Sequence, residues 1–323
     1  MPEPTAAPVA VIGAGLAGAT VARALRNAGH PVVVLDKGRG PGGRFATRRV
    51  EIAGIRCRFD HGTPALPGAC AVLDSVLRPA LDAGDAAPWP CGPSTDAVVG
   101  VPGMNAIVRS ILGDIAPRFG VTVRGLTRRR DGWHLALDGP ETAGPFRAVI
   151  VTAPAPQAAA LLEGHAPALA AHAASATVHP DWAVMMAFSD AAGAEAAAAR
   201  LAADDDVGAI ALEGTKPGRQ PGTLVVHLTQ AASARRLEDE ADRIAADIRA
   251  MLPQSTKLLH CAAHRWRYAR VTSPTPPTLF DLATGLGAAG DWCDPAGDAA
   301  GALRAANACV AALTAARPPR VVP

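Results

Sequence analysis

The sequence predicts an α/β fold in which a Rossmann-like dinucleotide-binding domain is joined to a second domain with a mixed or antiparallel sheet and helices. Three observations carry this expectation. The chain opens as apolar run, glycine turn, helical stretch and second apolar run, the order of a βαβ unit. Its middle third has short runs that partly alternate between apolar and polar, as antiparallel strands do. At 323 residues it exceeds the usual size of a single core.

Val9 to Ile12 is a continuous apolar run suited to a strand buried on both faces. Gly13 to Gly18 makes the turn. Leu16 to Ala28 has helical composition, and Gly29 stands where a left-handed cap is wanted. Val32 to Asp36 is the second strand, followed by a glycine-rich stretch from Gly38 to Gly43, Arg44, and a polar segment reaching Phe59-Asp60-His61-Gly62. Proline and glycine between Pro64 and Gly103 predict a loop-rich excursion. Asn105 to Ile115 reads as helix, Val121 to Leu126 and Trp133 to Leu137 as paired strands, and Ala148 to Thr152 as a buried strand stopped by Pro154 and Pro156. Val184 to Phe188, Val207 to Leu212 and Leu224 to Leu228 are expected strands of a sheet with one wet face. Alanine-rich helices separate them, and residues 191 to 203 are one. Ser233 to Leu252 places Leu237, Ala241, Ile244, Ile248 and Leu252 on one helical face. Gly285 to Asp291 reads as a closely packed strand and Gly301 to Ala316 as the last helix. The expected division is 1–64, 101–156 and 280–317 for the dinucleotide-binding domain, with 65–100 and 157–279 for the substrate domain.

Hydrophobic residues at 49% against 19% charged exclude a disordered chain. A net charge of +2 gives no reason to expect nucleic acid or an anionic membrane as partner. The run Arg128-Arg129-Arg130 before Asp131-Gly132 reads as a solvated hairpin turn. The six cysteines form no C-x-x-C pair, so no metal site is indicated. Met1-Pro2-Glu3-Pro4 carries no basic region ahead of an apolar one, and no apolar run reaches the ~18 residues that span a bilayer. A cytoplasmic protein with reduced thiols is expected.

Gly13-Ala14-Gly15-Leu16-Ala17-Gly18 matches G-x-G-x-x-G in the context that gives this common pattern meaning. It follows a buried strand, opens a helix, and precedes an acid, Asp36, at the end of the next strand. Gly13 permits the tight turn, Gly15 lets backbone N–H groups approach a pyrophosphate, and Gly18 lets helix and strand pack closely, with Ala17 between them. Asp36 is expected to accept hydrogen bonds from the adenosine ribose. Two later segments favour FAD over NAD as the resident cofactor. Lys37 to Arg44 brings Gly43 close to the cofactor and offers Arg44 as a bidentate partner for the pyrophosphate. Gly290-Asp291-Trp292 ends a strand shortly before the last helix. Asp291 can bond the ribityl or phosphate region, and the N-terminal end of that helix, near Ala299 to Ala302, favours the anionic reduced flavin through its dipole.

With these motifs the chain resembles the two-dinucleotide-binding-domain flavoproteins of the amine oxidase class, and within them the bacterial renalases. The likeness runs through Val11 to Gly18, Asp36 to Arg44, Asp60 to Gly62, Val101 to Ile107, Val149 to Leu162, Trp182 to Val184, Ala263 to Arg270 and Gly290 to Cys293. It implies FAD held without a covalent bond, hydride accepted from isomeric dihydro-NAD(P), and electrons passed to dioxygen to give hydrogen peroxide. It also implies a cofactor role for Gly62. The chain departs from the family pattern after Gly62, where Thr63-Pro64-Ala65-Leu66 replaces a glutamine and aromatics. It departs again at Ala299 to Ala306, where a charged residue beside the flavin is lost.

Hydride transfer to flavin needs orientation and a dry pocket more than an acid–base pair. His61 and Trp292 are the candidate pocket walls, and His264 is expected to pack or hydrogen-bond. Tyr268 is the one tyrosine, so a two-tyrosine cage is impossible. The residues leave open an amine or amino-acid oxidase, a desaturase of a secondary pathway, a binding protein with structural FAD, and a nicotinamide dehydrogenase. Catalytic residues and oligomeric state are not legible.

Overall fold

The computed structural model describes residues 7–52, 54–272 and 278–315. Met1 to Pro4, and Ala316 at the expected end of the last helix, lie outside them. The chain begins with β1 (Val9–Ile12), α1 (Leu16–Asn27) and β2 (Val32–Asp36). A hairpin follows, β3 (Thr47–Ile52) and β4 (Ile55–Asp60), where the sequence had suggested only a polar segment. Its inward positions Val50, Ile52, Cys57 and Phe59 explain it, because these apolar residues alternate along the two strands.

The expected loop between Pro64 and Gly103 is instead structured. It holds β5 (Leu66–Pro67), α2 (Ala71–Asp82), β6 (Ala86–Pro88) and β7 (Ala97–Gly100). Leu73, Val76, Leu77 and Ala80 form a buried helical stripe that outweighs Pro79 inside the helix. Next come α3 (Asn105–Leu112), β8 (Arg118–Phe119), β9 (Val123–Arg129), β10 (Gly132–Leu137), β11 (Thr142–Phe146) and β12 (Ala148–Val151). The hairpin of β9 and β10 runs further than expected, since exposed Arg128 lies over the Trp133 ring at 5.4 Å and Gly132 turns the chain at φ +142°.

Then follow α4 (Ala155–Leu162), α5 (Pro167–Ser175), β13 (Thr177–Phe188), α6 (Ala191–Leu201), β14 (Val207–Ala211) and β15 (Thr223–Leu228). The single helix expected over Ser233 to Leu252 is two, α7 (Gln230–Arg235) and α8 (Ala241–Ala250). Arg236 breaks it: its backbone carbonyl takes the Trp182 indole N–H at 2.9 Å, and its guanidinium pairs with Asp239 and Asp247. The remainder is β16 (Leu258–Thr272), β17 (Phe280–Asp281), β18 (Leu286–Ala288) and α9 (Ala299–Ala315). Among the described residues no helix is long and apolar enough to cross a membrane.

The chain forms two compact units, Met1–Gly43 with Ile111–Thr177 and Val271–Pro323, and Arg44–Ser110 with Val178–Arg270. These bounds differ from the expected division. Residues 44–64 fall in the second unit because Cys57 and Phe59 pack there with Ala183, Met185 and Val225. Residues 157–177 fall in the first, where His172 Nε2 bonds the Trp292 carbonyl at 3.1 Å.

The first unit is built on a six-stranded sheet of order β17-β18-β12-β1-β2-β8, with β1 parallel to both β12 and β2. All residues of β1 and β12 are buried, which is why both read as unbroken apolar runs. Close approach accompanies β18: a Cβ on Gly287 would lie 2.7 Å from the Phe280 ring and 2.9 Å from the Cys309 sulfur of α9. A three-stranded sheet β11-β10-β9 completes the strands of this unit.

The second unit carries a four-stranded sheet of order β14-β15-β13-β16 and a three-stranded one of order β5-β7-β6. One face of the larger sheet presents Trp182, Val184, Met186, Leu224, Val226 and Leu228 to Ala194 of α6 and to Ile244 and Ile248 of α8. Each such side chain contributes about 1.5–3 kcal/mol by burial. The opposite face was expected to be wet. It is covered instead, because Ala183, Met185, Ala187 and Val225 meet Cys57 and Phe59 of the β3–β4 ribbon.

Candidate cofactor and active site

In the first unit the turn between β1 and α1 is built for close backbone approach. Gly13 has φ +112°, and a Cβ there would sit 2.5 Å from Thr152 Oγ1. A Cβ on Gly18 would overlap the Gly13 carbonyl oxygen. Gly15, the N-cap of α1, would meet nothing nearer than the Gly42 oxygen at 3.8 Å, so the helix N-terminus opens on bare backbone. No acid stands in the first turn of α1, which leaves its positive dipole end uncompensated. Ala17 is buried beneath. This is the cradle that an ADP pyrophosphate requires.

Asp36 ends β2 and accepts the N–H groups of Ala14 at 2.5 Å and Gly38 at 2.6 Å, so one carboxylate ties both glycine segments together. Gly42 returns the tie by donating to the Ala14 carbonyl at 3.0 Å, and Gly43 turns at φ +56° beside Gly15. Lys37 is exposed and reaches Gln157 Oε1 at 3.3 Å. Gly290 is extended, and Asp291 opens a short 3-10 turn with 5% of its surface exposed.

Trp292 does not form the pocket wall expected of it. It is 1% exposed, donates its indole N–H to the Ala153 carbonyl at 3.0 Å and lies against His172, which makes it a core residue. The last helix starts at Ala299, ahead of the expected Gly301, because Asp298 accepts the Gly301 N–H at 2.7 Å. Burial holds the Cys293 thiol far above its usual range and pushes Cys309 up to about 12, so neither is a nucleophile.

The second unit holds Arg44, His61 and Gly62. Arg44 Nη1 donates to the Ala269 carbonyl at 2.9 Å. A Cβ on Gly62 would overlap the Arg44 carbonyl oxygen and stand 3.1 Å from the Trp266 ring, so this position needs glycine for space. His61 sits in an aromatic cluster, its ring centroid 4.7 Å from His264 and 5.1 Å from Trp266. Trp266 donates its indole N–H to the His61 carbonyl at 2.6 Å. Burial, with His264 beside it, pushes His61 down to about 4, and burial also lowers His264. Both imidazoles are therefore neutral near pH 7, and His61 Nδ1 is buried without a hydrogen-bond partner.

Behind this cluster lies an arrangement that no motif announced. Asp60, Glu213, Lys216 and Arg219 are fully buried and paired: Lys216 Nζ lies 3.1 Å from Asp60 and bonds Glu213, while Arg219 bonds Asp60 and reaches Glu213 at 2.9 Å. Asp60 also accepts the Thr47 hydroxyl at 2.7 Å and the Met104 N–H at 3.0 Å, and its own N–H donates to Glu213 at 3.0 Å. Burial would push the Asp60 carboxyl up, but Lys216, Arg219 and these donors together hold it below its ordinary value. Glu213 is raised, first by burial and then by the charge of Asp60. The four groups fix the end of β4 and so the chain entering His61. Lys216-Pro217-Gly218-Arg219 was a visible signal, two cations in a tight turn, but the partner Asp60 is too distant in sequence to pair with it by inspection.

Comparison with known proteins gives the chain a family. Residues 89–314 match the family model described as flavin containing amine oxidoreductase, and residues 11–74 match that of an NAD(P)-binding Rossmann-like domain. The chain belongs to the flavin-containing amine oxidoreductase family. It is a flavin oxidoreductase whose cofactor is FAD, and the glycine cradle fits that assignment. Solved structures share the fold at low identity. A cyclohexylamine oxidase from Brevibacterium oxydans superposes with a TM-score of 0.60 at 14% identity, over 96% of this chain and 99% of that one. A putative protoporphyrinogen oxidase from Exiguobacterium sp. gives 0.61 at 13%, over 95% and 98%. Putrescine oxidase with bound putrescine gives 0.55 at 14%, over 96% and 99%.

Proposed function

We propose that this flavin oxidoreductase accepts hydride from a small reduced ring, with isomeric dihydronicotinamides as the first candidates, and passes the electrons to dioxygen in the manner of the renalases. The observation that carries the reading is the neutral His61–His264–Trp266 cluster. Two imidazoles and an indole cluster with ring centroids 4.7 to 5.1 Å apart, His61 tilted 34° from Trp266 and His264 edge-on to both, an aromatic environment that suits a planar heterocycle. FAD, when bound, supplies a two-electron acceptor: the substrate carbon loses a hydride, and dioxygen with two protons becomes hydrogen peroxide.

The ADP half of the cofactor is assigned to Gly13, Gly15, Ala17, Gly18, Asp36, Lys37 and Gly43, and its remainder to Arg44, Gly62, Gly290 and Asp291, with no covalent bond. The open N-terminus of α1 and the Asp36 tie support the first set. His61 orients the substrate and, being neutral, adds no charge that would oppose hydride departure.

Anaerobic mixing with 2- or 6-dihydro isomers of NAD(P) should bleach the oxidised flavin band, and air should restore it with one peroxide per turnover. Absence of bleaching with every dihydropyridine would sink this substrate. An amine or amino-acid oxidase is the second reading, favoured by the family and by the fold shared with cyclohexylamine and putrescine oxidases. Peroxide release across a panel of amines decides between them.

A further inference from the structure

Arg48 stands on the inward face of the β3–β4 ribbon, in line with Val50 and Ile52 and directly opposite Phe59. It is exposed, and none of the ion pairs among the described residues includes it. Phe59 stacks on His260 with ring centroids 6.0 Å apart, which places a third imidazole beside the pair His61 and His264. Alternation on β16 puts His260, Ala262, His264 and Trp266 on one side of the strand, and Ala262 and Trp266 pack toward the ribbon. Two imidazole nitrogens of this group, His61 Nδ1 and His260 Nε2, are buried without a hydrogen-bond partner.

We propose that Arg48, with His260 and His264, binds an acidic group of the substrate, a carboxylate or a phosphate. An unpaired guanidinium offers a planar fork that fits either anion, and a neutral imidazole adds an N–H donor. Unpartnered buried nitrogens beside an unpaired cation mark a place where a ligand's oxygens have something to gain. Burial first, and the charge of Arg48 after it, holds His260 and His264 below the ordinary imidazole range, so Arg48 is the cation of the group. The other arginines of the ribbon are placed differently. Arg49 and Arg58 pair on the opposite face, and Arg56 there faces Glu51. This inference deepens the reading given under Proposed function and rests on it for the identity of the substrate, but the anion site can be tested without turnover.

The test is calorimetric titration of the flavin-loaded protein with inorganic phosphate and, separately, with acetate. Wild type and the R56Q control should bind at least one of them alike. R48Q should weaken that binding about tenfold or more, and R48K should recover part of it. Steady-state kinetics then separate the sources. If the group is a phosphate, R48Q raises KM for the dihydronicotinamide mononucleotide and leaves its neutral riboside unchanged. If it is a carboxylate, KM rises for an amino acid and not for the amine lacking that carboxylate. Failure of wild type to bind either anion, equal binding by R48Q at unchanged melting temperature, or an equal loss in R56Q would overturn the proposal. Anion binding lost in R48Q while no dihydropyridine or amine bleaches the flavin would uphold the site and remove only the substrate reading.

Discussion

A methyl group on Gly18 would enter the space held by the Gly13 carbonyl, and the nearest relief, Thr152 Oγ1, is itself only 2.8 Å from that position. Gly18→Ala must therefore push the first turn of α1 away from the β1 turn that it contacts. A destabilisation of about 1–3 kcal/mol is expected, together with loss of FAD from the purified protein, read as the ratio of flavin to protein absorbance. His61 makes a prediction of another kind. Its folded pKa of about 4 lies below the unfolded 6.5, so between those values the unfolded chain holds the extra proton. Its contribution is present above pH 6.5 and lost as pH falls toward 4. The loss is on the order of 3 kcal/mol. Urea unfolding across that range should show the slope, and His61→Asn should flatten it; an unchanged slope in the variant assigns the pH dependence elsewhere.

At the level of elements, the second unit depends on four buried charges that connect the end of β4, the turn at Glu213 to Arg219 and the start of α3 through Met104. The charges cancel, two against two, and every one has a partner. Removing one cation leaves the carboxylates uncompensated in a site without water contact, which costs about 3–5 kcal/mol for a broken buried pair. Lys216→Met should lower the urea midpoint accordingly, although methionine fills much of the same volume and can keep the contact with Trp89. A change below 1 kcal/mol would mean that Arg219 alone neutralises both acids. The ladder of β13 and β15 contributes differently between Val184 and Ala187, through apolar burial on both faces.

For the whole molecule, FAD is the cofactor, and the proposed cradle for it is backbone placed by β1, β2 and α1. Free FAD at one hundred times its dissociation constant stabilises the folded form by about 2.7 kcal/mol. The melting temperature of wild type should therefore rise with added FAD and fall on its removal. In Gly18→Ala the increment should vanish. A melting temperature indifferent to FAD would separate the cradle from the cofactor.

How much of this was legible differs from one unit to the other. The βαβ opening could be read directly because its causes are local: a run of buried residues, a glycine at φ +112°, a helix start, and an acid at a strand end. The glycine turn between β1 and α1 was legible for the same reason, since it is made of backbone whose shape the nearby glycines dictate. The β3–β4 ribbon, α2 and β16 were not, because their apolar positions acquire meaning only from partners far along the chain, as Phe59 does from Val225. Trp292 illustrates the limit of reading a motif: adjacency to Asp291 says nothing about which way the indole turns, and the Ala153 carbonyl turned it into the core.

The order of residues therefore determined an α/β protein with a Rossmann-like unit and the glycine turn between β1 and α1, because short-range sterics and helix ends act within a few residues. Tertiary structure alone decided that Asp60 meets Lys216 and Arg219, that His61 is neutral and that Arg48 stands among imidazoles. Burial and charge pairing depend on distance in space, and the pairing partners lie more than a hundred and fifty residues apart.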